Sequence, residues 1–263
     1  MDVITRNFFR LLRSGALNEY EPLEPMSAFK WNRLYQMVHA QHVEVPTQKG
    51  IRHHQYDDMM NIPTQLITEV ADTPEAPSNP QLSNRWLNHR LRKIEEAERH
   101  AIDTNVGSLD VLKIIVQNVS TMLNKGMMLS GLIQLGSYLR TKGDKVDFVK
   151  LEAWLSKLHI RRMAQLQGSM LMAVFNFEQD EIPFVEREEP AAYNLVLRSV
   201  LHTANDTAED WHFRQSRSGF VRSNSALTRR NLRRSLKYFI YAPLETISNY
   251  FHNFARSLQE IEE

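Results

Sequence analysis

The chain of 263 residues contains no cysteine. That excludes disulfides, thiolate zinc sites, iron–sulfur clusters and cysteine nucleophiles together, and it suits a reducing compartment. Glycine is scarce, at nine residues, too few to build a series of hairpins. No run of alternating Val, Ile and Thr lies between turn residues, so a large sheet is not expected. No segment approaches the roughly 18 apolar residues of a membrane span. The amino terminus, MDVITRNFFRLLRSG, has an acidic second residue and too short an apolar run for a signal peptide. A formal net charge of +1 gives the whole molecule no polyelectrolyte character. With 42% hydrophobic residues there is ample material for a core. The expectation is a cytoplasmic, all-α, multi-helix bundle-like protein with at most a minor β element, no transmembrane segment and no cofactor.

The strongest pattern runs from Leu109 to Phe184. Leu109, Leu112, Ile115, Val116, Val119 and Leu123 recur at helical steps, and Lys125-Gly126 stops that helix. Leu129, Leu132, Ile133 and Tyr138 form a second series that ends at Lys142-Gly143. Asp147 caps a third helix bearing Leu151, Trp154 and Leu155, and a fourth carries Ile160, Met163, Leu166, Leu171 and Val174 before Pro183. Upstream, Ile4, Phe8, Leu11 and Leu12 make a short helix that Gly15 ends. Phe29, Leu34, Met37 and Val38 make another, with Pro46 beyond its end. The proline-rich stretch 71–80 reads as a linker between a helical region at 1–70 and a central helical core at 81–210. There Ser83 or Asn84 caps a helix whose Trp86, Leu87, Leu91 and Ile94 face inward. Residues 211–263 form a basic segment followed by an amphipathic helix.

The order KGMMLSGLIQLGSYLRTKGDKVDFVKLEAWLSKLHIRRMAQLQGSMLMAVFNFEQDEIPF (125–184) resembles the helical region that follows the catalytic core in a large, poorly characterised family of bacterial nucleotidyltransferases. The segment from Trp31 to Val45 is similar to that family's opening helix. The resemblance implies a catalytic sheet between the early helices and Leu109. Here the helix from Leu82 to Ile102 leads into Val111 after a short link, which leaves no room for it. The implied protein is a degenerate, pseudoenzyme-like relative.

Nucleotidyl transfer needs backbone amides at a Gly-Ser turn and two carboxylates at i and i+2 of a strand, so that both point at the metals. Gly136-Ser137 fails, because Asp144 and Asp147 are three residues apart. Gly168-Ser169 with Glu178 and Asp180 is the best catalytic candidate, though the intervening residues continue a helical face. No P-loop, G-x-S-x-G or H-E-x-x-H occurs. For metals, His39 and His42 lie one turn apart. The richest ligand set is His53, His54, Asp57 and Asp58, where a helix pairs His53 with Asp57 and His54 with Asp58. His202, Asp206 and Asp210 repeat at four-residue spacing. Each set equally suits a solvated helix face.

Charge is distributed unevenly. From Trp211 to Leu244 there is no Asp or Glu, while Arg214, Arg217, Arg222, Arg229, Arg230, Arg233, Arg234 and Lys237 accumulate. Arg222, Arg229, Arg230, Arg233, Arg234 and Lys237 are the candidate anion-binding set. Next to them Leu236, Ile240, Leu244, Ile247, Phe251, Phe254, Leu258 and Ile261 repeat at three and four residues, with Tyr238, Phe239, Tyr241 and Tyr250 alongside. This face either packs on the body or a second copy, or works with the arginines at an anionic membrane surface or a nucleic acid. The expected function is a non-catalytic binding or scaffolding role, with another protein or a second copy as partner.

Overall fold

The computed structural model describes residues 1–57, 62, 79–102, 105–201 and 236–262, with 255–262 as backbone only. The described residues form helices and turns with no strand among them, as the all-α reading expects. In chain order the helices are α1 (Val3–Leu17), α2 (Ala28–Gln41), α3 (Glu44–His53), α4 (Arg85–Arg99), α5 (Val106–Asn124), α6 (Leu129–Lys142), α7 (Phe148–Lys157), α8 (Arg161–Phe175), α9 (192–201) and α10 (Pro243–Glu262).

The core is organised around α5, which touches α6, α7, α8 and α10. Val111, Leu112, Ile115, Val116 and Val119 on it are wholly buried. A helix that is apolar on most sides belongs inside a protein. By length and composition α5 is apolar enough to cross a bilayer, but 61% of that window is buried against its neighbours. Lys113, Gln117 and Asn118 interrupt its apolar run. The Asn118 amide has work inside the fold. Asn118 donates to the Gly131 carbonyl and to Gln167 Oε1, each at 3.0 Å, and Gln167 donates to the Ile115 carbonyl at 3.3 Å. Burying amides is tolerable because they bond one another.

The helix boundaries follow local capping. Asn84 Oδ1 accepts from Trp86 and Leu87 N–H, and Asp147 Oδ1 accepts from Lys150 N–H at 3.0 Å. α5 stops at Asn124, with Gly126 at φ 97° beyond it. One expected boundary differs. α1 does not end at Gly15 but runs to Leu17 and closes on Asn18 in the left-handed region. Gly15 is there because α3 crosses it backbone to backbone: a Cβ at Gly15 would come within 2.5 Å of the Gly50 nitrogen, and one at Gly50 within 2.9 Å of the Leu11 carbonyl carbon. Pro46 lies beyond the end of α2, as expected. It sits in the first turn of α3, where a missing N–H leaves nothing unsatisfied.

The inward faces also differ in detail. Phe29 and Trp86, read as apolar-face residues, are 73% and 51% exposed. Arg90 covers the Trp86 ring at 3.4 Å. On α2 the wholly buried aromatic is Trp31 instead. Gln41 fixes α2 to the central helices by accepting from Leu129 N–H at 3.0 Å and donating to the Ser199 carbonyl at 3.1 Å. Residues of 1–57 thereby share one continuous apolar core with 105–201.

Candidate interaction surface on the C-terminal helix

The amphipathic helix α10 is mounted with its polar side inward. Glu245, Thr246 and Asn249 are 1–2% exposed, whereas Leu244, Ile247, Phe251 and Phe254 are 39–62% exposed. The polar side is held by a chain of hydrogen bonds to the start of α4 and the end of α5. The Glu245 carboxylate accepts from the backbone N–H of Ser83 and, at 3.0 Å, of Asn84. Asn84 donates to Ser248 Oγ at 2.8 Å. Asn249 donates to Ser83 Oγ at 3.0 Å and to Asn124 Oδ1 at 2.8 Å, and Asn253 adds a bond to Asn124 Oδ1 at 3.1 Å.

The negative charge of Glu245 sits at the amino end of α4, where the helix dipole favours it. Burial nevertheless pushes its carboxyl above the ordinary range, and the two N–H bonds offset only part of that. Immediately before α10, Tyr238, Tyr241 and Ala242 are buried in the core. Arg162 of α8 clamps this approach by donating to the Ile240 carbonyl at 3.1 Å, with its guanidinium 5.3 Å from the Tyr241 ring centre. The segment is thus firmly seated while its apolar stripe faces solvent.

Of the alternatives for this apolar face, packing on the body is not what its described part does. Arg222, Arg229, Arg230, Arg233 and Arg234, with Arg214 and Arg217, lie outside the described residues. Lys237 lies within them, exposed, with its ammonium 5.4 Å from the Tyr238 ring centre. Glu186 bonds Arg161 and Glu189 bonds Arg162, at 3.1 Å, both arginines on α8.

The other candidates are placed as follows. Gly168 and Ser169 are buried inside α8, not on a turn. Gly168 lies against Ile182 and Phe184, which a Cβ would meet at 3.0 and 3.2 Å. Ser169 donates to the Gln165 carbonyl and accepts from Glu189 N–H. Glu178 and Asp180 are exposed on and beside a single 3-10 turn at Gln179–Glu181, where Glu178 and Glu181 form a capping box. The strand on which the i, i+2 geometry depends is not formed there, and the four residues do not converge.

The His53–Asp58 set does not form as a helix would arrange it, because α3 ends at His53. His53 Nδ1 faces Ser14 Oγ at 3.0 Å. His54 is fully buried, bonds Asp57 at 2.8 Å and stacks on Tyr20 at 4.6 Å, and Tyr20 donates to Asp57 at 2.8 Å. The His54 and Tyr20 bonds hold the Asp57 carboxyl below its usual range. Asp58 lies outside the described residues, as do His202, Asp206, Asp210 and residues 71–78 of the proline-rich stretch. His39 bonds Glu44 at 2.9 Å, and His42 has left the helix for a left-handed cap. Among the described residues no three His, Cys, Asp or Glu side chains gather as a metal site.

An open groove of about 970 Å³ runs between α3, α5 and α6. Lys49, Lys113 and Lys142 stand on its walls, and Tyr138 donates to Asp110 across it at 2.9 Å.

The inverted mounting of α10 was not legible in the sequence. Glu245, Asn249 and Asn253 at four-residue spacing did form a signal, but a polar stripe reads as the solvent face by default. No known protein family, curated protein or solved structure matches this chain.

Proposed function

We propose that this chain is a non-catalytic helical binding or scaffolding module whose working surface is the outer face of α10. The observation that carries the reading is the exposed stripe of Leu244, Ile247, Phe251 and Phe254 on a helix fixed to the body by its polar side. Seating a helix that way leaves apolar area in water, and contiguous exposed apolar patches mark interaction sites. The kinship of residues 125–184 to the helical part of bacterial nucleotidyltransferases belongs to the same proposal, with the chain as a degenerate, cytoplasmic relative lacking the catalytic sheet.

The test compares the intact chain with Phe251→Glu, a change on the outer face that leaves the helical circular dichroism and melting temperature unaltered. The reading expects a photo-crosslinker placed at Tyr250 to form one discrete protein adduct that Phe251→Glu abolishes. Magnesium-dependent turnover of nucleoside triphosphate, lost in Glu178→Ala, would refute it.

A further inference from the structure

The groove beside α3 lies over a stretch where α5 and α6 leave their polar side chains unused. The two helices are antiparallel and are tied at two levels: Tyr138 donates to Asp110 at 2.9 Å, and Asn118 donates to the Gly131 carbonyl at 3.0 Å. Asp110 and Asn118 are eight residues apart on α5, so the ties stand roughly 12 Å apart along the helix. Between them the groove is lined by Lys113 and Gln117 of α5 and by Gln134 and Ser137 of α6, over the buried Ile114 and Ile133. Ser137 donates to the Ala16 carbonyl. Gln117 and Gln134 are half-buried, yet neither has a hydrogen-bond partner in the chain.

Lys113 is the second anomaly. It stands on the helix that carries the core, its side chain is only 23% exposed, and its ion pair to Glu95 is at 4.0 Å, the outer limit of such a pair. An ammonium group drawn that far out of water is costly unless an anion meets it. The two acids that line the groove are already engaged, Asp110 by the Tyr138 hydroxyl and Glu44 by His39 at 2.9 Å. Lys49 on the α3 wall and Lys142, one turn past Tyr138, add two more ammonium groups to the lining. The groove therefore offers positive charge beside two carboxamides.

That chemistry defines a ligand. Lysine meets an anion as a point charge, and a carboxamide both donates and accepts, as a hydroxyl group does. An apolar ligand would cover Gln117 and Gln134 and leave them unsatisfied. The volume of about 970 Å³ is in the range of small-molecule sites. We infer that the α3–α5–α6 groove binds a small anionic polyol, with its phosphate or carboxylate on the Lys113 ammonium and its hydroxyl groups on the Gln117 and Gln134 carboxamides. No residue of α10 lines the groove, so this site is separate from the surface proposed above.

Thermal unfolding of the full chain at constant ionic strength tests the site. The probes are glucose 6-phosphate, gluconate, glucose and inorganic phosphate. At about 10 mM, and for a Kd near 1 mM, an anionic polyol is expected to raise the melting temperature by about 3–5 °C, with glucose and inorganic phosphate well below that. A rise from glucose 6-phosphate alone assigns the phosphate, a rise from gluconate alone assigns the carboxylate, and a rise from both shows that either group is accepted. Lys113→Gln and Gln117→Leu are each expected to remove most of the rise. Gln134→Leu, on the opposite wall, supplies an independent variant that leaves α5 untouched. Lys157→Gln, which removes an exposed ammonium on α7, is expected to keep the rise whole. No rise with either anionic polyol overturns the inference, as does a rise that survives in Gln117→Leu and Gln134→Leu. An equal rise from inorganic phosphate removes the polyol and leaves an ion site.

Discussion

Gly15→Ala sets two quantities of opposite sign against each other. In an isolated helix the change favours α1 by about 1 kcal/mol, because alanine loses less backbone freedom than glycine. In this fold the new Cβ overlaps the Pro46 carbonyl and stands 2.5 Å from the Gly50 nitrogen, where ordinary contact begins at 3.4 Å. Both obstacles are backbone, so no side chain can turn away. The helices must part by about 1 Å, which also opens the matching approach of Gly50 to Leu11. Overpacking of this kind costs about 1–3 kcal/mol, at the upper end when the obstacle is rigid. The net expectation is a loss of about 1–2 kcal/mol, or a melting temperature lower by roughly 2–8 °C for a chain of this size. Gly143→Ala supplies the control: it has φ −56° and no neighbour within 4 Å of its Cβ, so it gains about 0.4–1 kcal/mol. Urea unfolding followed at 222 nm measures both. A Gly15→Ala protein as stable as the parent, or as much improved as Gly143→Ala, would refute the close helix crossing.

Three other expectations can be checked separately. The bidentate Arg6 hydrogen bonds, joined by the charge of Arg10, lower the Glu24 carboxyl to about 2. Its stabilising contribution is thus present above the ordinary carboxyl range and lost as pH falls toward 2, and Arg6→Gln should raise the carboxyl NMR midpoint toward 4.5. A midpoint already near 4.5 in the parent contradicts the pairing. Asn118→Ala leaves the buried Gln167 Oε1 without its donor, costing about 1–3 kcal/mol. Its effect should be less than additive with Gln167→Met, and strict additivity in a double-mutant cycle would show that the two amides do not act together. For Glu245 the folded carboxyl is raised, so its contribution is complete below the ordinary range and lost as pH rises through the raised value. The stability difference between the parent and Glu245→Gln should therefore shift against the parent as pH rises from 4 to 7, and a difference flat with pH excludes the burial argument.

What the sequence made legible was what neighbouring residues settle among themselves. Asp147 and Asn84 cap helices because a carboxylate or amide precedes a free N–H by two or three residues, and α5 stops before a glycine at positive φ. The period of Leu112, Ile115 and Val119 marks a buried face for the same local reason. Long-range geometry was not legible. Gly15 looked like a helix terminator and is a crossing point whose partner lies 35 residues away. His54 was expected to meet Asp58 on a continuing helix. Instead α3 ends, and the imidazole turns to Asp57 and to Tyr20 from the loop after α1. In α10 the period located the apolar stripe correctly, but a period carries no information about which side the rest of the protein occupies.

The way α10 is attached sets how its release responds to temperature. Global unfolding exposes the apolar core and carries a large positive heat-capacity change. Lifting α10 from Glu245 to Asn253 exposes a carboxylate, a hydroxyl and amides, whose hydration changes heat capacity in the opposite sense. Detachment of this helix is accordingly an event of small or negative heat-capacity change. Its equilibrium follows an almost straight line in temperature, while the stability of the body behind it follows a dome.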